Sequence, residues 1–131
     1  MVVYLDASAI VKMVVQERES ASLSAMLHAW PERASSSVVL AEVPRALSRM
    51  GARAAGLARA ERVLERIALI RLDVDILKAA GRLPFPALRT LDALHLASAL
   101  SLGSELHGIV TYDHRLAEAA TTSGLEVLAP A

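Results

Sequence analysis

The 131-residue sequence predicts an α/β fold with a short, mainly parallel central sheet and helices on both faces. Three observations carry this. Short apolar runs alternate with helix-patterned segments along the whole chain. Each crossover between strands is long enough to hold a helix, which parallel neighbours require. No internal repeat, low-complexity linker or long Pro/Gly/Ser stretch divides the chain, and its length is that of one domain, 1–131.

The elements follow in order. Val2 to Leu5 is an apolar run ending at an acid, as a buried strand does. Ala7 to Val15 is helical, with Ile10, Val11, Val14 and Val15 on one face. Glu19 to Trp30 is a second helix, closed by Pro31. Ala34 to Val39 mixes serines with β-branched residues and reads as a strand. Leu40 to Met50 is a helix stopped by Gly51. Ala54 to Arg66 is another helix, and Ile67 to Leu72 a strand. Asp73 to Arg82 is a short helix whose N-terminal acids suit its dipole. Pro84, Phe85 and Pro86 make a rigid loop. Leu91 to Leu102 is a strongly apolar helix ended by Gly103. Ile109 to Tyr112 is a strand, His114 to Thr122 a helix, and Leu125 to Leu128 a last strand.

Composition bounds the function. Hydrophobic residues are 54% and charged residues 21%, which argues against intrinsic disorder. There is no cysteine, so disulfides, thiolate catalysis, zinc-thiolate sites and iron–sulfur clusters fall away together. No apolar run is long enough for a membrane span, and an acid at position 6 is foreign to a signal peptide. The expectation is a soluble, cytoplasmic protein. Net charge is zero, so bulk attraction to nucleic acid is not indicated. The charge is uneven, however. Residues 41–90 carry ten basic and five acidic groups, and residues 91–131 one basic and five acidic. A basic middle points weakly to a phosphate-bearing partner; a solvated helix face explains it equally simply.

In parallel sheets ligands sit beyond the carboxyl ends of the strands. Asp6 follows the first strand and Asp113 the strand Ile109 to Tyr112, so both belong to one sheet edge. Asp92 opens the apolar helix, and Glu42 lies near the start of the helix after the second strand, between apolar neighbours. Each has a local explanation. Asp6 and Asp113 suit helix N-caps, and Asp92 suits a first-turn acid behind Thr90 as N-cap. Glu42 is the hardest to explain locally, because a carboxylate among apolar residues costs free energy unless paired or cation-bound. Four acids at one edge repel one another and call for cations. Oxygen ligands without cysteine suit Mg²⁺ or Mn²⁺, and such sites serve phosphoryl chemistry.

These residues carry a family resemblance over Val3 to about Leu128. The run Val-Tyr-Leu-Asp6-Ala-Ser8-Ala-Ile-Val-Lys12 resembles the first motif of PIN-domain nucleases. Ser36-Ser37-Val-Val-Leu-Ala-Glu42-Val-Pro-Arg45 resembles the second. Arg89-Thr90-Leu-Asp92-Ala-Leu-His95 resembles the third, and Thr111-Tyr-Asp113-His-Arg-Leu116 the fourth. One motif alone is weak; four in order are specific. Length and order resemble the VapC-type toxins of bacterial toxin–antitoxin pairs. The resemblance implies a PIN-like three-layer α/β/α sandwich and a Mg²⁺-dependent endoribonuclease, with Mn²⁺ as substitute. It implies that Asp6, Glu42, Asp92 and Asp113 hold the metal, while Ser8 and Thr111 steady a carboxylate or a metal-held water. It also implies a VapB-like antitoxin and a homodimer.

Further residues have two readings each. Arg45, three residues after Glu42, either steadies that carboxylate or meets substrate phosphate. Lys12 reaches phosphate or, more simply, is solvated. His95 shares a helix face with Asp92, and its simpler reading is a histidine tucked against the sheet. Arg45, Arg49 and Arg53 step at i, i+4, i+8, with Arg59, Arg62 and Arg66 on the next helix, which suggests a basic stripe for RNA, for an antitoxin tail, or for solubility alone. Two rival functions stand beside the nuclease. A PIN-fold module could bind RNA or protein without cutting. A phosphatase or response-regulator receiver is disfavoured, because a receiver needs two acids after its first strand and a lysine after its last.

Overall fold

The structure, a computed structural model, describes residues 1–131. Its five strands are β1 (Val2–Leu5), β2 (Arg33–Ser36), β3 (Ala68–Ile70), β4 (Leu106–Val110) and β5 (Val127–Leu128). They form one sheet in the order β3-β2-β1-β4-β5, and every pairing is parallel. Seven helices connect them: α1 (Ala7–Val14), α2 (Ser20–Ala29), α3 (Val39–Arg49), α4 (Ala54–Leu64), α5 (Val74–Gly81), α6 (Thr90–Leu100) and α7 (His114–Thr122). No helix is long and apolar enough to cross a membrane.

The sheet divides the core because strand side chains alternate faces. Val3 and Leu5 of β1 pack with Ile10, Leu23, Val43, Leu47 and Leu64 beneath α1–α4. Tyr4, between them, faces the other side and packs with Leu96, Ile109 and Leu116 under α6 and α7. A smaller cluster, Ile76, Ala80 and Ala97, fastens α5 to α6. The result is three layers, with Val3, Tyr4 and Leu5 of the central strand β1 fully buried.

Several predicted boundaries shift, each for a local reason. The second strand stops at Ser36 rather than Val39. Ser36 Oγ accepts from Val38 N–H at 3.2 Å, making a turn that hands Val39 to the helix. β4 begins at Leu106, three residues before the predicted start, and ends at Val110. Gly108 within it has a reason to be glycine: a Cβ there would lie 2.8 Å from the Glu126 carbonyl of the neighbouring chain segment. Thr90 is the first residue of α6 rather than its N-cap; Arg89 holds that position in extended backbone and caps nothing with its side chain. A short 3-10 turn, Gly103–Glu105, was not foreseen.

Candidate active site

The site grows from the pairing of β1 with β4. Leu5 sits opposite Val110, and Asp6 N–H donates to Val110 O at 3.2 Å, so both chains leave the sheet side by side. Asp6 is 4% exposed. Its Oδ1 accepts from Ser8 Oγ at 2.6 Å and from Ala9 N–H at 3.0 Å, the latter capping α1. Its Oδ2 accepts from Thr111 Oγ1 at 2.6 Å. The two hydroxyls are themselves tied to the turn after β4. Ser8 Oγ accepts from Tyr112 N–H at 3.0 Å and Thr111 Oγ1 from Asp113 N–H at 3.0 Å. Asp6 is therefore the hub of a network joining the starts of α1 and α7. Burial pushes its carboxyl up from the ordinary aspartate value, and the Ser8 and Thr111 hydroxyls oppose that rise.

Asp113 caps α7, with Oδ1 accepting from Leu116 N–H at 2.9 Å, while Oδ2 has no hydrogen-bond partner. Asp92, in the first turn of α6, is partly buried and its carboxylate accepts no hydrogen bond. Burial, then the nearby Asp113 carboxylate, push the Asp92 carboxyl above the usual range. Glu42, in the first turn of α3, is 18% exposed; its Oε1 accepts from His95 Nε2 at 2.7 Å. Local capping and a shared edge are thus compatible: Asp6 and Asp113 do both.

His95 is 1% exposed, and its Nδ1 lies 2.7 Å from Tyr4 Oη, with the two rings edge to face. It is tucked against the sheet, as its simpler reading expects. Its pairing with Glu42, 53 positions away, has no local signal in the sequence.

The cations near this edge are arranged differently from expectation. Lys12 is neither solvated nor free. It bonds Glu19 at 3.2 Å, lies 3.7 Å from Glu17 and stands 4.9 Å over the Tyr112 ring. Arg45 does not steady Glu42. It is exposed, makes no ion pair, and lines an open groove with Arg49, Glu42, Ala7 and Leu91. The i, i+4, i+8 stripe is interrupted, because α3 ends at Arg49 and Arg53 lies beyond the Gly51 turn. Arg59 leaves the stripe as well, donating from Nη1 to Val14 O at 2.9 Å.

The donor set suits a hard divalent cation: carboxylate oxygens without partners on Asp92, Asp113 and Glu42, a buried Asp6 beside them, and no lysine or arginine in ion-pair contact with them. No three acidic or histidine side chains converge on one point as the rotamers stand. Glu42 is turned to His95, and Asp6 to its hydroxyl donors.

A parallel α/β/α sandwich with acids gathered at one strand edge defines a PIN domain, and the PIN domain family model matches residues 3–121. The chain belongs to this family and, within it, to the VapC ribonucleases. It is 48% identical over 131 residues to Ribonuclease VapC46 of Mycobacterium tuberculosis, covering 98% of this chain and 97% of that protein. It is 40% identical to Ribonuclease VapC35 of the same species, covering 98% and 96%. The fold is similar to that of M. tuberculosis VapC20, a sarcin–ricin loop cleaving toxin, with a TM-score of 0.75 at 18% identity, covering 98% of this chain and 99% of that one. It is equally similar to a chain of VapBC2 from Rickettsia felis bound to a promoter DNA fragment, with a TM-score of 0.76 at 18% identity and 98% coverage of both chains.

Proposed function

We propose that this chain is the toxin of a VapBC-type pair, an endoribonuclease in which Asp6, Glu42, Asp92 and Asp113 hold Mg²⁺, with Mn²⁺ as a substitute. The observation that carries the reading is the uncompensated charge at the β1/β4 edge, above all Asp92, partly buried with no hydrogen bond to its carboxylate. When bound, the cation polarises a phosphate oxygen and lowers the pKa of a water. The protein's own residues do the rest. Ser8, Thr111 and Ala9 N–H fix the Asp6 carboxylate in one orientation. The α7 N-terminus holds Asp113 by one oxygen and leaves the other for the site. Arg45 lines the groove beside Glu42 without an ion pair, which supports its reading as a contact for a phosphate of the RNA strand.

The reading treats 1–131 as one PIN domain, working in the cytoplasm as a homodimer and silenced by a VapB-like antitoxin. Its test is cleavage of cellular RNA by purified protein with Mg²⁺, beside Asp6→Asn, Glu42→Gln and Asp92→Asn. Loss of cleavage in all three with folding intact is expected. Retained cleavage in all three overturns the reading. RNA binding without cleavage by the parent protein favours the non-cutting module.

A further inference from the structure

Glu42 does not stand alone at the site edge. Behind it runs a buried chain of polar groups that crosses from the sheet to α3. Tyr4 Oη on β1 lies 2.7 Å from His95 Nδ1 on α6, and His95 Nε2 lies 2.7 Å from Glu42 Oε1 on α3. Tyr4 is fully buried, and a phenol carries its proton at neutral pH. A carboxylate oxygen only accepts, so Nε2 carries the hydrogen that binds Glu42. In the neutral ring Nδ1 then accepts from Tyr4 O–H. Every group in the chain is satisfied in one direction: Tyr4 to His95 to Glu42.

We infer that His95, oriented by Tyr4, is a positioning residue that fixes the Glu42 carboxylate. With Oε1 occupied by Nε2–H, Oε2 is the oxygen left for a cation. A buried imidazole held between a phenol and a carboxylate is restricted in rotation. The partly buried glutamate is thereby spared the entropy of choosing a rotamer each time a cation arrives. The inference rests on reading Glu42 as part of the site.

Two measurements test it. The first is proton–nitrogen NMR of histidine-labelled, metal-free protein at mildly alkaline pH, with the His95 signals assigned by their loss in His95→Gln. Hydrogen on Nε2 is expected, with the Nε2 resonance moving in Glu42→Gln and the Nδ1 resonance in Tyr4→Phe. Hydrogen on Nδ1 overturns the inference. The second is Mn²⁺ titration by calorimetry. His95→Ala is expected to weaken Mn²⁺ binding by about tenfold or more, with His95→Gln, which keeps an N–H, recovering part of the loss. Tyr4→Phe, which removes one oxygen and keeps the ring, guards against a variant that fails to fold, and weaker binding is expected there too. Should Glu42→Gln weaken binding while His95→Ala and Tyr4→Phe do not, the positioning role is wrong and the site reading stands. Tighter binding in His95→Ala also overturns it, since the histidine would then withhold Glu42. Should Glu42→Gln bind Mn²⁺ as the parent does, the site reading of Glu42 fails and takes the inference with it.

Discussion

Thr111→Val separates the Asp6 network from ordinary core packing. Thr111 is 1% exposed and its hydroxyl makes two bonds, donating to Asp6 Oδ2 at 2.6 Å and accepting from Asp113 N–H at 3.0 Å. Valine preserves the shape and removes both. A bond to a charged group contributes about 1.5–3 kcal/mol and a neutral one about 1 kcal/mol, so the expected loss is about 3 kcal/mol. Against a typical domain stability of about 5–15 kcal/mol that is a large fraction. Thr111→Ser keeps both bonds and loses one methyl, for about 1 kcal/mol. Urea unfolding in chelator reads both variants, with the slope unchanged if only the native state is affected. Repeating Thr111→Val on an Asp6→Asn background should shrink its cost, because the charge-assisted part is already gone. If valine is no worse than serine, Asp6 is not held through Thr111 and the account of the hub is wrong.

Other expectations are independent of this one. Asp92 has a carboxyl raised by burial and by Asp113. Its contribution to stability is fullest below the unfolded value of about 3.9 and is lost as pH rises through the folded value. Metal-free Asp92→Asn should therefore melt progressively higher than the parent as pH rises from acid toward neutrality; a pH-independent offset would contradict this. Gly108→Ala puts a Cβ 2.8 Å from Glu126 O and should cost about 2 kcal/mol in thermal unfolding, whereas Gly81→Ala, with open space at its Cβ, should cost nothing. Arg45→Gln, measured by RNA anisotropy in the cleavage-silenced Asp92→Asn background, should lower affinity and reduce the salt slope by about one. An unchanged slope would remove Arg45 from the phosphate path.

The strand–helix alternation was legible because most strands are short apolar runs and several helices carry their own stop, such as Gly51 after α3 and Gly124 after α7. Edges were less legible where side-chain bonds decide them. The β-branched Val38 and Val39 resemble strand, yet a serine turn assigns Val39 to α3. The four acids could be named from the strand edges and the motifs. Their partners could not. Glu42 and His95 are 53 positions apart, and nothing local to either announces the other. Lys12 meets Glu19 only because the chain turns between α1 and α2. The Trp30–His107 stack, with centroids 3.8 Å apart, is equally invisible in one dimension.

The sheet order has a consequence for how such a protein comes into being on a ribosome. β1 is the first strand to be made and occupies the middle of the sheet, but its β4 flank arrives only with residues 106–110. The Asp6–Thr111 bond spans 105 positions, an interval of about 5–20 s at usual translation rates. Until then Asp6 has no Thr111, and Asp113 does not exist. A nascent or prematurely terminated chain therefore carries the first acids without an assembled edge. If the acids of this edge carry the cleavage proposed above, activity has to wait for β4 to close beside β1, after most of the chain has been made.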